Sequence, residues 1–179
     1  MLTKLKSNSG FTLVELLVVM TILAVLVSIG LVSFRSSQFR SRDAQRKSDL
    51  KQLSSSLELF YSDYGKYPDG TSGTIEGCSY NSSTGTGTAC TWGTGEFTDG
   101  KTIYFKVIPD DPYTGHSYYY RIVDSPTNQK YQLFAALENS EDRDCLGGDC
   151  ASPTVSYSCG SGITCNFSIT SSNTKPTEE

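Results

Sequence analysis

Hydrophobic and polar positions divide the chain into stretches of different character. From Phe11 to Phe34 the only charge is Glu15, and these two dozen residues, at ~1.5 Å each, make roughly 36 Å of helix, enough to span a bilayer. Residues 35–64, RSSQFRSRDAQRKSDLKQLSSSLELFYSDY, contain no Gly or Pro, and Leu50, Leu53, Leu57, Phe60 or Tyr61, and Tyr64 recur at three- and four-residue steps. That spacing predicts an amphipathic continuation of the same helix. Gly65 and Pro68 supply its stop. A helix apolar all round and then apolar on one face predicts an anchor that becomes the spine of a head.

Residues 65–101 are dominated by Gly, Ser and Thr and read as a loop. TIYFKVI (102–108), SYYYRIV (117–123) and KYQLFAAL (130–137) are rich in aromatic and β-branched residues, and Pro- and Gly-containing turns separate them. They predict a three-stranded antiparallel meander over 102–137, followed by a Cys-containing C-terminal loop and tail over 138–179. The expected class is α+β, a long N-terminal transmembrane-plus-amphipathic helix packed on a small antiparallel sheet.

Charge sharpens this division. Residues 1–51 carry a net +5 and residues 52–179 a net −9, so an acidic head argues against nucleic-acid binding. Lys4 and Lys6 precede the apolar run without an acid, which predicts a single-pass protein with its N-terminus cytoplasmic and its head exported. The alternative is a cleaved secretory signal ending near Ser28-Ile29-Gly30, against which the run is long and continues as helix beyond that cut. All six cysteines follow residue 77, on the exported side, so disulfides are expected. Six cysteines allow 15 pairings. We expect nearest neighbours, Cys78–Cys90, Cys145–Cys150 and Cys159–Cys165. Zinc is disfavoured by the wide spacings and the single His.

The residues Gly10-Phe11-Thr12-Leu13-Val14-Glu15, after a short basic leader and before the apolar run, resemble the processing site of type IV prepilins and type II secretion pseudopilins. Tyr64-Gly65-Lys66-Tyr67-Pro68 and the stretch IPDDPYTGHSYYY (108–120) resemble the helix-to-loop junction and the turn before the strands in the same proteins. The resemblance implies a leader of residues 1–10, cut after Gly10 by a prepilin peptidase, N-methylation of Phe11, and Glu15 as the assembly carboxylate. It also implies a homo- or hetero-polymer of pilin-like subunits, drawn from membrane lipid by an inner-membrane assembly platform into a cell-surface or periplasmic filament. Physically, the new Phe11 ammonium would be costly in lipid unless paired, and Glu15 could meet it within the chain or from a neighbouring subunit. A Glu merely tolerated by snorkelling is the plainer account. A membrane-anchored extracytoplasmic adhesin or binding module that does not polymerise is the alternative function.

Other candidate chemistry is thin, and no catalytic set is visible, so a structural protein rather than an enzyme is expected. Gly95 to Thr102 satisfies the phosphate-loop pattern G-x-x-x-x-G-K-[ST], but runs into a strand-like segment where that loop needs a helix. His116 lies in a turn without an evident nucleophile and reads as a surface residue. Arg35, Arg40, Arg42, Arg46 and Lys47 read as a solvated juxtamembrane surface, with lipid phosphates or an acidic neighbouring subunit as the functional reading. The acidic stretch after residue 137 makes Asp142, Asp144 and Asp149 candidate calcium ligands; major pseudopilins, which the chain resembles, hold calcium in a loop after their strands. No cofactor is required.

Overall fold

The computed structural model describes residues 10–178, except the side chains of residues 29–33. One helix, α1, runs Leu13–Tyr64, and the chain divides into two compact units between Gln38 and Phe39. In the first unit Leu13, Val14, Leu16, Leu17 and Met20 are all exposed. Among the described residues no helix is long and apolar enough to cross a membrane; part of the expected 11–34 span falls on side chains outside them, and leader residues 1–9 also lie outside.

The second unit is the head. Its part of α1 ends as the sequence predicts: Gly65 takes the left-handed conformation (φ +66°) and its N–H donates to the Tyr61 carbonyl at 2.7 Å, a cap that a residue with a side chain adopts only at a cost. Among the described residues nine short strands follow: β1 (Gly70–Thr71), β2 (Thr74–Ile75), β3 (Cys78–Asn81), β4 (Thr86–Thr88), β5 (Phe97–Thr98), β6 (Ile103–Phe105), β7 (Tyr119–Ile122), β8 (Tyr131–Ala135) and β9 (Phe167–Thr170). β1 and β2 form a hairpin; the others make two sheets, ordered β4-β3-β5-β6 and β7-β8-β9, with every pairing antiparallel.

Two expectations are corrected here. The stretch 65–101 is not only loop but supplies β1 to β5, and the first strand of the expected meander, β6, pairs with β5 rather than β7. The third strand beside β7 and β8 comes instead from the tail, with Phe167 opposite Ala135 and Thr170 opposite Gln132. The physical reason is that all five residues of β8 are buried: a strand covered on both faces and central in its sheet needs a neighbour on each edge.

The helix stripe is the floor of the core. Leu50, Leu53, Leu57 and Phe60 are fully buried against Tyr131, Leu133 and Ala135 of β8 and against Ile75, Phe97, Tyr104 and Ile108. Acidic residues beside the stripe accept tyrosine hydroxyls from the head: Asp49 from Tyr118 and Asp63 from Tyr104, both at 2.8 Å, and Glu58 from Tyr67 at 3.0 Å. On the outer face of β8, Phe134 and Ala136 meet Tyr157, Val155 and the Cys159–Cys165 disulfide, so the tail builds a second apolar layer. The three bridges are Cys78–Cys90, Cys145–Cys150 and Cys159–Cys165, the nearest-neighbour pairing. Each closes a loop of five to twelve residues, and in the chain-entropy account such short loops contribute at most about 3 kcal/mol apiece.

Candidate functional site

Gly10, Phe11 and Glu15 lie together at the start of α1. Gly10 and Phe11 are exposed, and a Cβ built on Gly10 meets nothing within 4 Å. Packing among the described residues therefore gives no reason for a glycine there. Thr12 caps the helix. Its Oγ1 accepts from the Glu15 N–H at 3.3 Å, while the Glu15 carboxylate accepts from the Thr12 N–H at 2.9 Å and from the Thr12 hydroxyl at 2.7 Å. This reciprocal pair is a capping box, T-x-x-E, which satisfies helix donors that otherwise have no partner. The expectation gave Glu15 a charge partner or left it tolerated by snorkelling, and did not read it as a cap; the T-x-x-E spacing was the available signal for the cap. Glu15 makes no ion pair among the described residues.

The basic cluster is a second correction. Arg46 is fully buried, donating through Nε and Nη2 to both oxygens of Asp111, and through Nη1 to Asp43 at 2.7 Å and Glu138 at 2.8 Å. Asp43 is itself buried and accepts the backbone N–H groups of Glu138 and Asn139 at 2.9 and 2.8 Å. Arg42 pairs with Glu138 through Nε at 2.7 Å and lies between the rings of Phe39 and Tyr113. Burial by itself would raise the Glu138 carboxyl, but hydrogen bonds from Arg42 and Arg46 hold it below the usual carboxylate range. Arg42 and Arg46 are thus clamps joining α1 to the turn before β7 and to the chain just after β8, and Lys47 ties α1 to the loop beyond it. Arg35 and Arg40 stay exposed and make no ion pair among the described residues.

The three acids proposed for calcium are not brought together. Lys47 Nζ donates to both oxygens of Asp142 at 2.8 Å and to Asp144 at 2.6 Å, the place a cation between them would take, whereas Asp149 accepts the Ala151 N–H. Among the described residues no group of three or more His, Cys, Asp or Glu could hold a metal ion. The phosphate-loop pattern is the β5–β6 turn: Asp99 Oδ1 accepts the N–H groups of Lys101 and Thr102 at 2.8 and 2.6 Å, so the chain's own carboxylate takes the amides a phosphate would need. His116 is not a surface residue; it is half-buried, bridged to Gly160 and edge-on to Tyr113, with Nδ1 buried and unpartnered.

Comparison with known proteins bears on the N-terminus. Residues 5–31 match the family described as the prokaryotic N-terminal methylation motif. The N-terminal part of the chain is therefore similar to that of proteins carrying this motif. Over 62 residues it is 37% identical to the type IV major pilin protein PilA of Myxococcus xanthus (strain DK1622), an alignment covering 35% of this chain and 28% of that protein, so the matched part spans little more than a quarter of the relative's length. No solved structure matches.

Proposed function

We propose that this pilin-like chain is a subunit of a type IV filament, either a pilin or a type II secretion pseudopilin. In this reading it is cut after Gly10 and methylated at Phe11 by a prepilin peptidase, anchored by the apolar part of α1, and drawn into the polymer by an assembly platform. The observation that carries the reading is the methylation motif over residues 5–31. The geometry supports it: a glycine that no packing among the described residues requires stands before an exposed aromatic, consistent with recognition by a processing enzyme. Row upon row of exposed Leu, Val and Ile on the first unit has to be covered by lipid or by other subunits. The test is co-expression with a prepilin peptidase and intact-mass measurement. The expected product lacks residues 1–10 and carries one methyl group; cleavage near Gly30, or none, overturns the proposal.

A further inference from the structure

We infer that the groove between α1 and the loop after β8 binds the phosphodiester headgroup of a membrane lipid, held by Arg40 and Arg143, with Glu141 placed to take a headgroup ammonium; this rests on the membrane-anchored reading above. The groove has a volume of about 420 Å³, and its walls carry three cations, Arg40, Lys47 and Arg143, and three carboxylates, Asp43, Glu141 and Asp142. Half of these charges are already spent within the chain. Asp43 is held by Arg46 and two backbone N–H groups. Lys47 is held by Asp142 and by Asp144, and so takes up Asp142. Arg40, Arg143 and Glu141 are exposed and make no ion pair among the described residues. The uncommitted charge facing the groove is therefore +1, made of two guanidinium groups and one carboxylate. A phosphodiester carries −1, and guanidinium forks suit its oxygens better than any other side chain. One carboxylate beside them favours a headgroup that carries a primary ammonium as well. Position along the chain agrees: Arg40 stands six residues after Phe34, the end of the apolar run, within roughly 20 Å of it even if the chain were fully extended.

The test uses the full chain in dodecyl maltoside micelles, which contain no phosphate, and follows hydrogen–deuterium exchange of the amides at 139–143. Dihexanoyl-phosphatidylethanolamine should protect them, and dihexanoyl-phosphatidylcholine, whose trimethylammonium cannot donate to Glu141, should do so more weakly. Arg40→Gln and Arg143→Gln should each weaken protection about fivefold, and Glu141→Gln should bring the ethanolamine lipid down to the choline lipid. Trp92 fluorescence identical to wild type would show that the head of each variant is folded. No protection by either lipid, or protection indifferent to both arginines, overturns the site. Equal protection by inorganic phosphate at the same concentration overturns a lipid as its source, and protection that rises with protein concentration alone assigns the groove to a second copy and also overturns it. Flotation with phosphatidylcholine vesicles reports the anchor separately: a chain that floats but is not protected refutes the groove alone, and one that does not float refutes the anchor.

Discussion

Arg46 and Glu15 are charges that the helix carries among apolar neighbours, and the chain treats them oppositely. Arg46 sits in the head, fully buried, with Asp111, Asp43 and Glu138 closing every side of its guanidinium. Glu15 sits in the first unit, exposed, with a single polar partner, Thr12, and no cation among the described residues. A buried charge without compensation costs several kcal/mol, so the Arg46 site is finished within one chain. Among the described residues the Glu15 site is satisfied as a helix cap but meets no counter-charge. Completion inside the chain marks a structural role; a charge with no counter-charge among the described residues is where the filament reading proposes that a second subunit contributes one.

The largest effect should come from breaking the finished site. Arg46→Met leaves three carboxylates around an apolar side chain, and removing one partner of a buried ion pair costs about 3–5 kcal/mol. In the full chain this should lower the melting temperature of the head by about 10 °C, followed through Trp92, which packs edge-on against Tyr118. Arg46→Lys keeps the charge but loses the two-pronged bond to Asp111 and should fall between. A loss under about 1 kcal/mol for the Met variant would show that Arg46 is not the counter-charge of this cluster.

That site was legible in the sequence, but in a register that composition hides. The stripe of Leu50, Leu53, Leu57 and Phe60 extends backwards at four-residue steps through Arg46 and Arg42. The helix therefore turns both arginines toward the head, and a basic cluster that looks solvated is half interior. The stripe itself, its glycine stop and the disulfide neighbours were readable because each rests on local spacing. β9 was not. Phe167–Thr170 pairs with β8 across more than thirty residues of Gly- and Ser-rich tail, and nothing local in FSIT separates a strand from a short apolar run. β6 misled for the same reason: its composition identified a strand but not its partner. At the N-terminus the motif was plain, and its second meaning, the cap, lay in the same four letters.

Acid should loosen the head by an intermediate amount. Backbone N–H bonds from Thr102, with the Tyr64 hydroxyl, hold Asp99 down to about 2, and Glu138 and Asp142 also titrate below their usual range. For a carboxyl depressed in the folded state, the unfolded chain takes up protons first as pH falls, so stability present at neutral pH is lost between about pH 4 and pH 2. Asp49 works with the opposite sign. Burial, with Asp111 nearby, raises its carboxyl, so its protonation favours the fold and its ionised form costs stability at neutral pH. Asp49→Asn should therefore raise the melting temperature at pH 7 and lose that advantage in acid. A lower melting temperature at pH 7 would mean that the bond to Tyr118 outweighs the burial of the charge.

A smaller effect is expected at Lys47, whose partners are partly exposed. Lys47→Met should cost at most about 1 kcal/mol, but it frees Asp142 and Asp144 together. Millimolar calcium should leave the melting temperature of the wild-type chain unchanged, because the ammonium already holds both carboxylates, and should raise that of the Met variant if the ion takes its place. A calcium-dependent rise in the wild type would return the acidic loop to the reading as a metal site.

The smallest effect on the head, and the one that decides what Glu15 is for, is expected from Glu15→Gln. Glutamine can accept the Thr12 N–H as glutamate does, so the helix start keeps its cap, while the charge is gone; Glu15→Val removes the charge and the carboxylate half of the cap, leaving only the bond from the residue-15 N–H to Thr12 Oγ1. Neither substitution touches the head, whose melting temperature should stay within measurement error. The three chains then separate on sheared filament yield in cells carrying the peptidase and the assembly machinery, with membrane levels of uncut and mature chain measured alongside. If Glu15 neutralises the Phe11 ammonium of another subunit, Gln and Val should fail alike at assembly while both are processed and retained in the membrane, because an unpaired ammonium in an apolar contact costs several kcal/mol. If the cap is what matters, Gln should assemble like the wild type and only Val should fail. Normal filaments from both would leave Glu15 without a role in polymerisation and would favour an anchored module that acts as a single chain.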